Sequence, residues 1–312
     1  MADQPHPQAQ NILDIIEGQP FPPVNAMSVA DAREQFEGAT TLTDGPDVDD
    51  VRDIEMGGPG GALPARLYLP EGDPPHPVLV FFHGGGWVLG DVETHDNQCR
   101  HIVDEAGCAV FSVDYRRAPE ATFPAALDDA YAATTWVADH GHHIHLDTDR
   151  MAIGGDSAGG NLAAATTLRI ADEGGPELAH QVLAYPAVAS PAVHDFPSYE
   201  ENAEGYFLET EAMEWFVDCY VDDDRDLRNE YFAPLLAREL SATPPATVLT
   251  AGFDPIRDEG VAYADHLEES GVDVNHYHYE DLIHGFLGMV DMVDPAADAV
   301  ERVGEDLRAA FE

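Results

Sequence analysis

Residues 151–165 read Met151-Ala-Ile-Gly-Gly-Asp-Ser-Ala-Gly-Gly-Asn-Leu-Ala-Ala-Ala165, and the reading of this stretch decides the fold. The apolar run Met151 to Ile153 predicts a buried strand, and the alanine- and leucine-rich run Asn161 to Arg169 predicts a helix. Between them, Gly155-Asp156-Ser157-Ala158-Gly159 fits G-x-S-x-G, the spelling of a nucleophile elbow. A serine forced into a sharp strand-to-helix turn has strained backbone geometry, so its neighbours two residues away must lack side chains. The turn lifts the Ser157 hydroxyl above the sheet, with free N–H groups of the helix N-terminus just behind it. A glycine-rich connection that happens to contain a serine has the same spelling, so the elbow needs partners elsewhere in the chain.

The stretch Pro77-Val-Leu-Val-Phe-Phe82 is uninterrupted and apolar, as a strand buried on both faces should be. It ends in His83-Gly-Gly-Gly-Trp87. Glycines after a central strand let backbone N–H groups face a cavity, which an oxyanion hole requires. A merely flexible loop needs neither the histidine nor the tryptophan. Further strands are predicted at Ala109 to Asp114, Gln181 to Tyr185, Ala246 to Asp254 and Asn275 to Tyr279. Helices are predicted from Pro124 to about His140 and from about Glu259 to Ser270. Strands alternating with helices predict an α/β fold with a mostly parallel sheet. Asp254 and His284 then both lie just beyond carboxyl ends of strands, where open α/β sheets build their sites.

Around this rhythm the chain divides into four stretches. Residues 1–46 carry two helical patterns, Asn11 to Ile16 and Ser28 to Phe36, separated by Pro20 to Pro23; they read as part of a cap. Residues 47–186 form the first part of the core, opening with a hairpin that turns at Gly57-Gly-Pro-Gly-Gly61. That glycine cluster lacks the lysine and following helix of a phosphate loop. From 187 to 240 the strand rhythm is suspended, which predicts an insertion completing the cap. Its aromatics, Trp215, Phe216 and Tyr220 among them, belong either to the core of the cap or to a pocket wall. Residues 241–312 form the second part of the core. Substrate-pocket candidates are Trp87, Tyr185, Tyr206, Phe207, Leu208 and Phe286. The cluster His140, His142, His143 and His145 invites a metal reading, but it falls on a helix–strand connection where no carboxylate–histidine ladder fixes a geometry. A solvated turn is expected there, and no metal.

Composition narrows the function. The N-terminal residues show neither a basic start nor an apolar segment, no run approaches the ~20 residues of a membrane span, and Cys99, Cys108 and Cys219 are odd in number and scattered. These features predict a cytoplasmic protein with free thiols and no membrane span. Formal net charge is −46 and every basic residue apart from histidine is arginine. Spread over the roughly 13,000 Å² expected for this mass, that is about one net charge per 280 Å². Binding to nucleic acid or anionic lipid is excluded by the same sign of charge. An acidic tail would cluster the acids, whereas here they are dispersed along the chain.

Several motifs together resemble the hormone-sensitive-lipase family of α/β-hydrolase esterases, in its Gly-Asp-Ser-Ala-Gly branch. They are His83-Gly-Gly-Gly-Trp87, Tyr115-Arg116, Ala118-Pro-Glu120, Phe123-Pro-Ala-Ala126, Gly155 to Leu162, Gln181 to Pro186, Asp254-Pro255, Arg257-Asp-Glu-Gly260 and His284-Gly-Phe286. Arg117 departs from the pattern, in which leucine is commoner. The resemblance covers about residues 60 to 290 and implies an α/β-hydrolase fold with a helical cap. It also implies a catalytic triad of Ser157, Asp254 and His284 in the family's chain order, and an oxyanion hole from N–H groups of Gly85, Gly86 and Ala158. The expected activity is serine carboxylesterase on short- to medium-chain acyl esters, through an acyl-enzyme and without a cofactor. A deacetylase, amidase or lipase on the same triad is the alternative; a non-catalytic receptor on this fold is disfavoured because His284 is kept. The expected partner is a small ester, and the expected state a monomer or homodimer.

The dispersed acidic excess without lysine resembles proteins of salt-in halophiles, of the haloarchaeal type. With net charges about 17 Å apart, a Debye length of ~30 Å at low salt lets them repel collectively, while ~3 Å in molar salt does not. Dialysis of the protein from molar salt into dilute buffer should therefore unfold or inactivate it, as followed by circular dichroism and ester turnover; full activity in dilute buffer refutes the halophile reading.

Overall fold

The computed structural model describes residues 2–19, 22–41 and 43–312. Among them, eight strands form one sheet in the order β1-β2-β4-β3-β5-β6-β7-β8. The strands are β1 (Asp50–Gly58), β2 (Gly61–Leu69), β3 (His76–Phe82), β4 (Ala109–Val113), β5 (Leu146–Asp156), β6 (His180–Ala184), β7 (Ala246–Phe253) and β8 (Val274–Ile283). Only β2 runs against its neighbours, pairing antiparallel with β1 and β4, and every other pair is parallel. This is an α/β-hydrolase fold.

Burial on both faces explains the continuous apolar runs. Along β3, Val78, Val80 and Phe82 enter one core while Leu79 and Phe81 enter the other, the two-residue period of a strand. The first core packs under α4 (Ala125–His140), α5 (Ala158–Glu173) and α8 (Arg257–Glu269). The second lies under α3 (Asp96–Ala106) and α9 (Asp294–Ala310), which also pack on each other. From β3 the chain crosses to β4 on one side, whereas from β5 it steps away to β6 on the other. The crevice outside the carboxyl ends of β3 and β5 is therefore the topological switch point, where such sheets bind their ligands. Helix α5 starts three residues earlier than its apolar run, because Gly159 and Gly160 hide its first turn from a propensity reading.

The N-terminal helices α1 (Pro7–Glu17) and α2 (Val29–Thr40) match the two helical patterns, with Ser28 accepting the Asp31 N–H as N-cap. Pro20 and Phe21, part of the predicted break, lie outside the described residues. The strand rhythm stops at Ala184 and resumes at Ala246, and the intervening segment carries α6 (Pro197–Glu201) and α7 (Thr210–Tyr220). Two buried or half-buried charges fasten these pieces to the core. Arg33 of α2 donates to Val88 O and Ala118 O, both at 2.9 Å, and grips Glu120 with two further bonds of 2.8 and 2.7 Å. Glu259, only 2% exposed in the first turn of α8, takes the Val188 and Ala189 N–H groups on Oε1 at 2.7 and 3.2 Å and the Tyr199 hydroxyl on Oε2.

Burial pushes Glu259 up to about 7 from its ordinary 4.5, with the nearby Asp254 charge adding to the effect and the three donors opposing it. An acid raised in the folded state contributes stability that is present below its unfolded pKa and lost as pH rises through the folded one. Melting measured from about pH 5 to 8 in molar salt should therefore show wild-type stability declining, by at most about 3 kcal/mol from this group. Glu259→Gln, which keeps an acceptor for the two N–H groups and cannot ionise, should flatten that decline. An equally steep profile in the variant would remove Glu259 from the account.

Candidate active site

Ser157 joins the end of β5 to the start of α5 at φ 55°, ψ −117°. An L-residue is rarely held there, and neighbouring backbone enforces it. A side chain on Gly159 would place Cβ 1.9 Å from Phe82 O, and one on Gly155 would come within 2.4 Å of Gly159 and of Phe82 O. The elbow is thus pressed against the end of β3, and glycine is the only residue that fits at either flank. Ser157 N–H donates to Ala184 O at 2.8 Å, while its carbonyl accepts from Asn161 N and Ala187 N.

Asp254 follows β7 directly and His284 follows β8. The three residues, distant in sequence, meet in one line: His284 Nδ1 lies 2.8 Å from Asp254 Oδ2, and His284 Nε2 lies 3.0 Å from Ser157 Oγ. Asp254 has no exposed surface and its Oδ1 accepts the Ile256 N–H at 2.9 Å, so the carboxylate is locked in place. An ionised carboxylate only accepts, so the shared proton sits on Nδ1 and leaves the Nε2 lone pair for the serine hydroxyl. Asn202 Nδ2, from the segment after α6, donates to Asp254 O at 3.0 Å, tying that segment to the same loop. The arrangement can deprotonate Ser157 and hold the resulting imidazolium.

The loop after β3 lies against the elbow. His83 is fully buried, stacked on Tyr115 with ring centroids 4.1 Å apart, and burial holds its pKa well below the ordinary value, so the ring is neutral. Tyr115 hydroxyl donates to His83 O at 2.8 Å, and the Arg117 guanidinium donates to Gly90 O. Gly84 N–H is spent on Asp156 Oδ1 at 3.0 Å and His95 Nε2 at 3.2 Å. Among the described residues, the N–H groups of Gly85, Gly86 and Ala158 have no recorded acceptor.

Of the pocket candidates, the structure leaves some accessible and encloses others. Phe207, at φ 75°, is exposed, and its ring lies beside Gly285, next to His284. Leu208 is half-buried, and Tyr206 packs on Phe253 at 5.1 Å beside a cavity of about 170 Å³. Phe286 has no exposed surface and packs on Tyr185 and Tyr279, forming a floor under the histidine. Tyr185 is likewise buried, edge-on to the His284 ring at 4.8 Å. Trp87 is also buried, its ring stacked on Tyr220 of α7 at 4.7 Å. These positions look like pocket wall in sequence because any aromatic near a strand end does. Phe216 of α7 took no assigned place in sequence, yet its ring presses on Gly86 so closely that a Cβ there would lie 2.2 Å away.

Elsewhere, His142, His143 and His145 are exposed on a short turn after α4. Among the described residues no cluster of three or more histidine, cysteine or acidic side chains could hold a metal ion, and no helix is long and apolar enough to cross a membrane. The three cysteines are free thiols.

The family model described as alpha/beta hydrolase fold matches residues 79–288. An esterase of Mycobacterium tuberculosis is 41% identical over 257 residues, covering 81% of this chain and 79% of the relative. An ethyl acetate hydrolase of Pseudomonas putida is 35% identical over 295 residues, 92% of each chain. The crystal structure of an ester hydrolase from the metagenome of Lake Arreo, complexed with a bipyridine phosphonate derivative, superposes with a TM-score of 0.94 at 37% identity, covering 99% of both chains. On the strength of the matched residues, the relatives and the shared architecture, this chain belongs to the alpha/beta hydrolase fold family.

Proposed function

We propose that the chain is a serine carboxylesterase of the hormone-sensitive-lipase type, acting on short- to medium-chain acyl esters in high salt. Its class is that of a carboxylic ester hydrolase: relatives 35–41% identical over most of the chain are named esterases or ester hydrolases. The observation that carries the mechanism is the unbroken line Asp254–His284–Ser157, with bonds of 2.8 and 3.0 Å.

In this reading His284 Nε2 takes the Ser157 proton as Oγ attacks the ester carbonyl carbon. The carbonyl electron pair moves to oxygen, and the tetrahedral oxyanion is held by N–H groups of Gly85, Gly86 and Ala158. As the intermediate collapses, the C–O bond to the alcohol breaks and His284 returns the proton to the leaving oxygen. Water, deprotonated by the same imidazole, then opens the acyl-enzyme and frees the acid. Asp254 holds the ring and stabilises its positive form throughout. Each proton and electron pair has a protein or water partner, so the reading assigns no cofactor.

Phe216 pressed against Gly86 narrows the space above the glycine loop, which favours a short acyl group. Salt adaptation rests on the charge of −46 over an accessible surface of 12948 Å², and the free thiols favour a cytoplasmic setting.

Ser157→Ala should lower turnover of p-nitrophenyl butyrate in molar salt by at least roughly 10⁴-fold, and retained turnover would sink the serine assignment. A panel of p-nitrophenyl esters from acetyl to long acyl should peak at short to medium chains. A peak at long chains makes the enzyme a lipase, and better turnover of anilides makes it an amidase.

A further inference from the structure

The residue beside the nucleophile has a task of its own. Asp156 is buried, and its Oδ1 accepts the Gly84 N–H at 3.0 Å. The same N–H is shared with His95 Nε2 at 3.2 Å, and the two acceptors stand 3.4 Å apart. The protonation of His95 follows from its other neighbour. Thr94 Oγ1 donates its own proton to Asp91 O at 2.9 Å, so it can only accept from His95 Nδ1, also at 2.9 Å. The ring proton is therefore on Nδ1, and the Nε2 lone pair faces Gly84. One backbone N–H thus has two buried acceptors, one charged and one neutral. The approach is close enough that a Cβ on Gly84 would lie 2.4 Å from Asp156 Oδ2.

This geometry bears on catalysis because of where the two ends of the bond are attached. Asp156 is linked by a peptide bond to Ser157, and Gly84 by one to Gly85. The hydrogen bond therefore joins the chain carrying the nucleophile to the chain carrying the donors, one residue from each. Donors that stabilise an oxyanion act only if already aimed when the charge develops, and a displacement near 1 Å costs about 10²-fold in rate.

We propose that Asp156, backed by His95, is a positioning pair that sets the oxyanion donors relative to Ser157. The inference rests on the esterase reading and names a residue pair that the triad does not include. The rest of the loop does not depend on it for folding, because Tyr115 holds His83 O and Arg117 holds Gly90 O independently.

The test compares Asp156→Ala, Asp156→Asn and His95→Ala with wild type in molar salt, using p-nitrophenyl butyrate and butylboronic acid, whose serine adduct is a tetrahedral boronate anion that places an oxygen where the oxyanion forms. Asp156→Ala should lower kcat by about 50-fold with KM within about twofold, and weaken boronate inhibition by a similar factor. Asp156→Asn keeps an acceptor for Gly84 and should recover most of the loss, to within about fivefold of wild type. His95→Ala, which leaves the carboxylate in place, should show a smaller kcat loss of about fivefold, again at unchanged KM, and decides the matter if Asp156→Ala does not fold. Wild-type kcat in Asp156→Ala or His95→Ala overturns the proposal, as does an Asn variant as slow as the Ala variant, or a loss that falls on KM. A Ser157→Ala enzyme that still turns over would instead overturn the serine assignment, and a wild-type protein that hydrolyses no ester in molar salt would overturn the esterase reading.

Discussion

Everything in this molecule is arranged around one backbone conformation, the φ 55°, ψ −117° of Ser157. Holding a non-glycine residue in so sparsely populated a region costs on the order of 1–3 kcal/mol, which the surroundings must outweigh. They do so with contacts at every side of the turn. The Ser157 N–H is bonded to β6, its carbonyl serves two donors, and Gly159 lies so near Phe82 O that β3 and α5 meet without any side chain between them. Asn161, one turn into α5, donates at 2.8 Å to both Ala187 O and Phe232 O, so the cap segment closes the far side. The strain is shared by strands that are themselves deeply buried. A nucleophile on a flexible loop could be aimed in many directions; here the sheet leaves one.

The residues of the Asp254–His284–Ser157 line were legible in sequence because their constraints are local. A sharp turn needs glycine two residues either side, a buried parallel strand is continuously apolar, and an acid or histidine just past such a strand has few structural reasons to be there. Asp254 and His284 stood out on those grounds before any contact was known. The partners that fix the loop were not legible. His95 and Asp156 meet across 60 intervening positions of chain, and neither carries a spacing that announces the other. Arg33 and Glu259 are the same kind of case: each reads as an ordinary charge in the first turns of a helix, and its meaning lies wholly in what it reaches. The aromatic positions are ambiguous in sequence for a different reason. Trp87 and Phe286 are apolar residues near the site, and only packing decides whether such a ring faces ligand or core.

Helices α3 and α9 escaped the sequence reading for physical reasons too. Helix α3 opens on Asn97 and Gln98, polar residues that are buried, so its first turn lacks an apolar stripe. Helix α9 does have a buried stripe, but Ala296, Ala299 and Gly304 supply much of it, and small residues give a weak signal. The acidic surface adds a constraint of its own. Arginine is the only cation with a permanent charge, and Arg66 alone meets Asp53, Glu93 and Asp96. Exposed pairs contribute little each, about 0–1 kcal/mol, so cohesion rests on the two apolar cores.

The way α1 is attached has a consequence for the order of events during synthesis. Ala9 and Leu13 bury themselves in the second core, His6 N–H donates to Asp281 O at 2.7 Å, and Gln8 Oε1 accepts from Asp294 N at 3.0 Å. Helix α1 therefore docks onto residues that leave the ribosome about 275 to 286 positions after it. At ordinary rates of translation this leaves it without its seat for roughly 15–60 s. Ile15 and Ile16 stay exposed even in the finished fold, so the segment waits with apolar residues uncovered. The seat of α1 exists only once β8 and the start of α9 are in place.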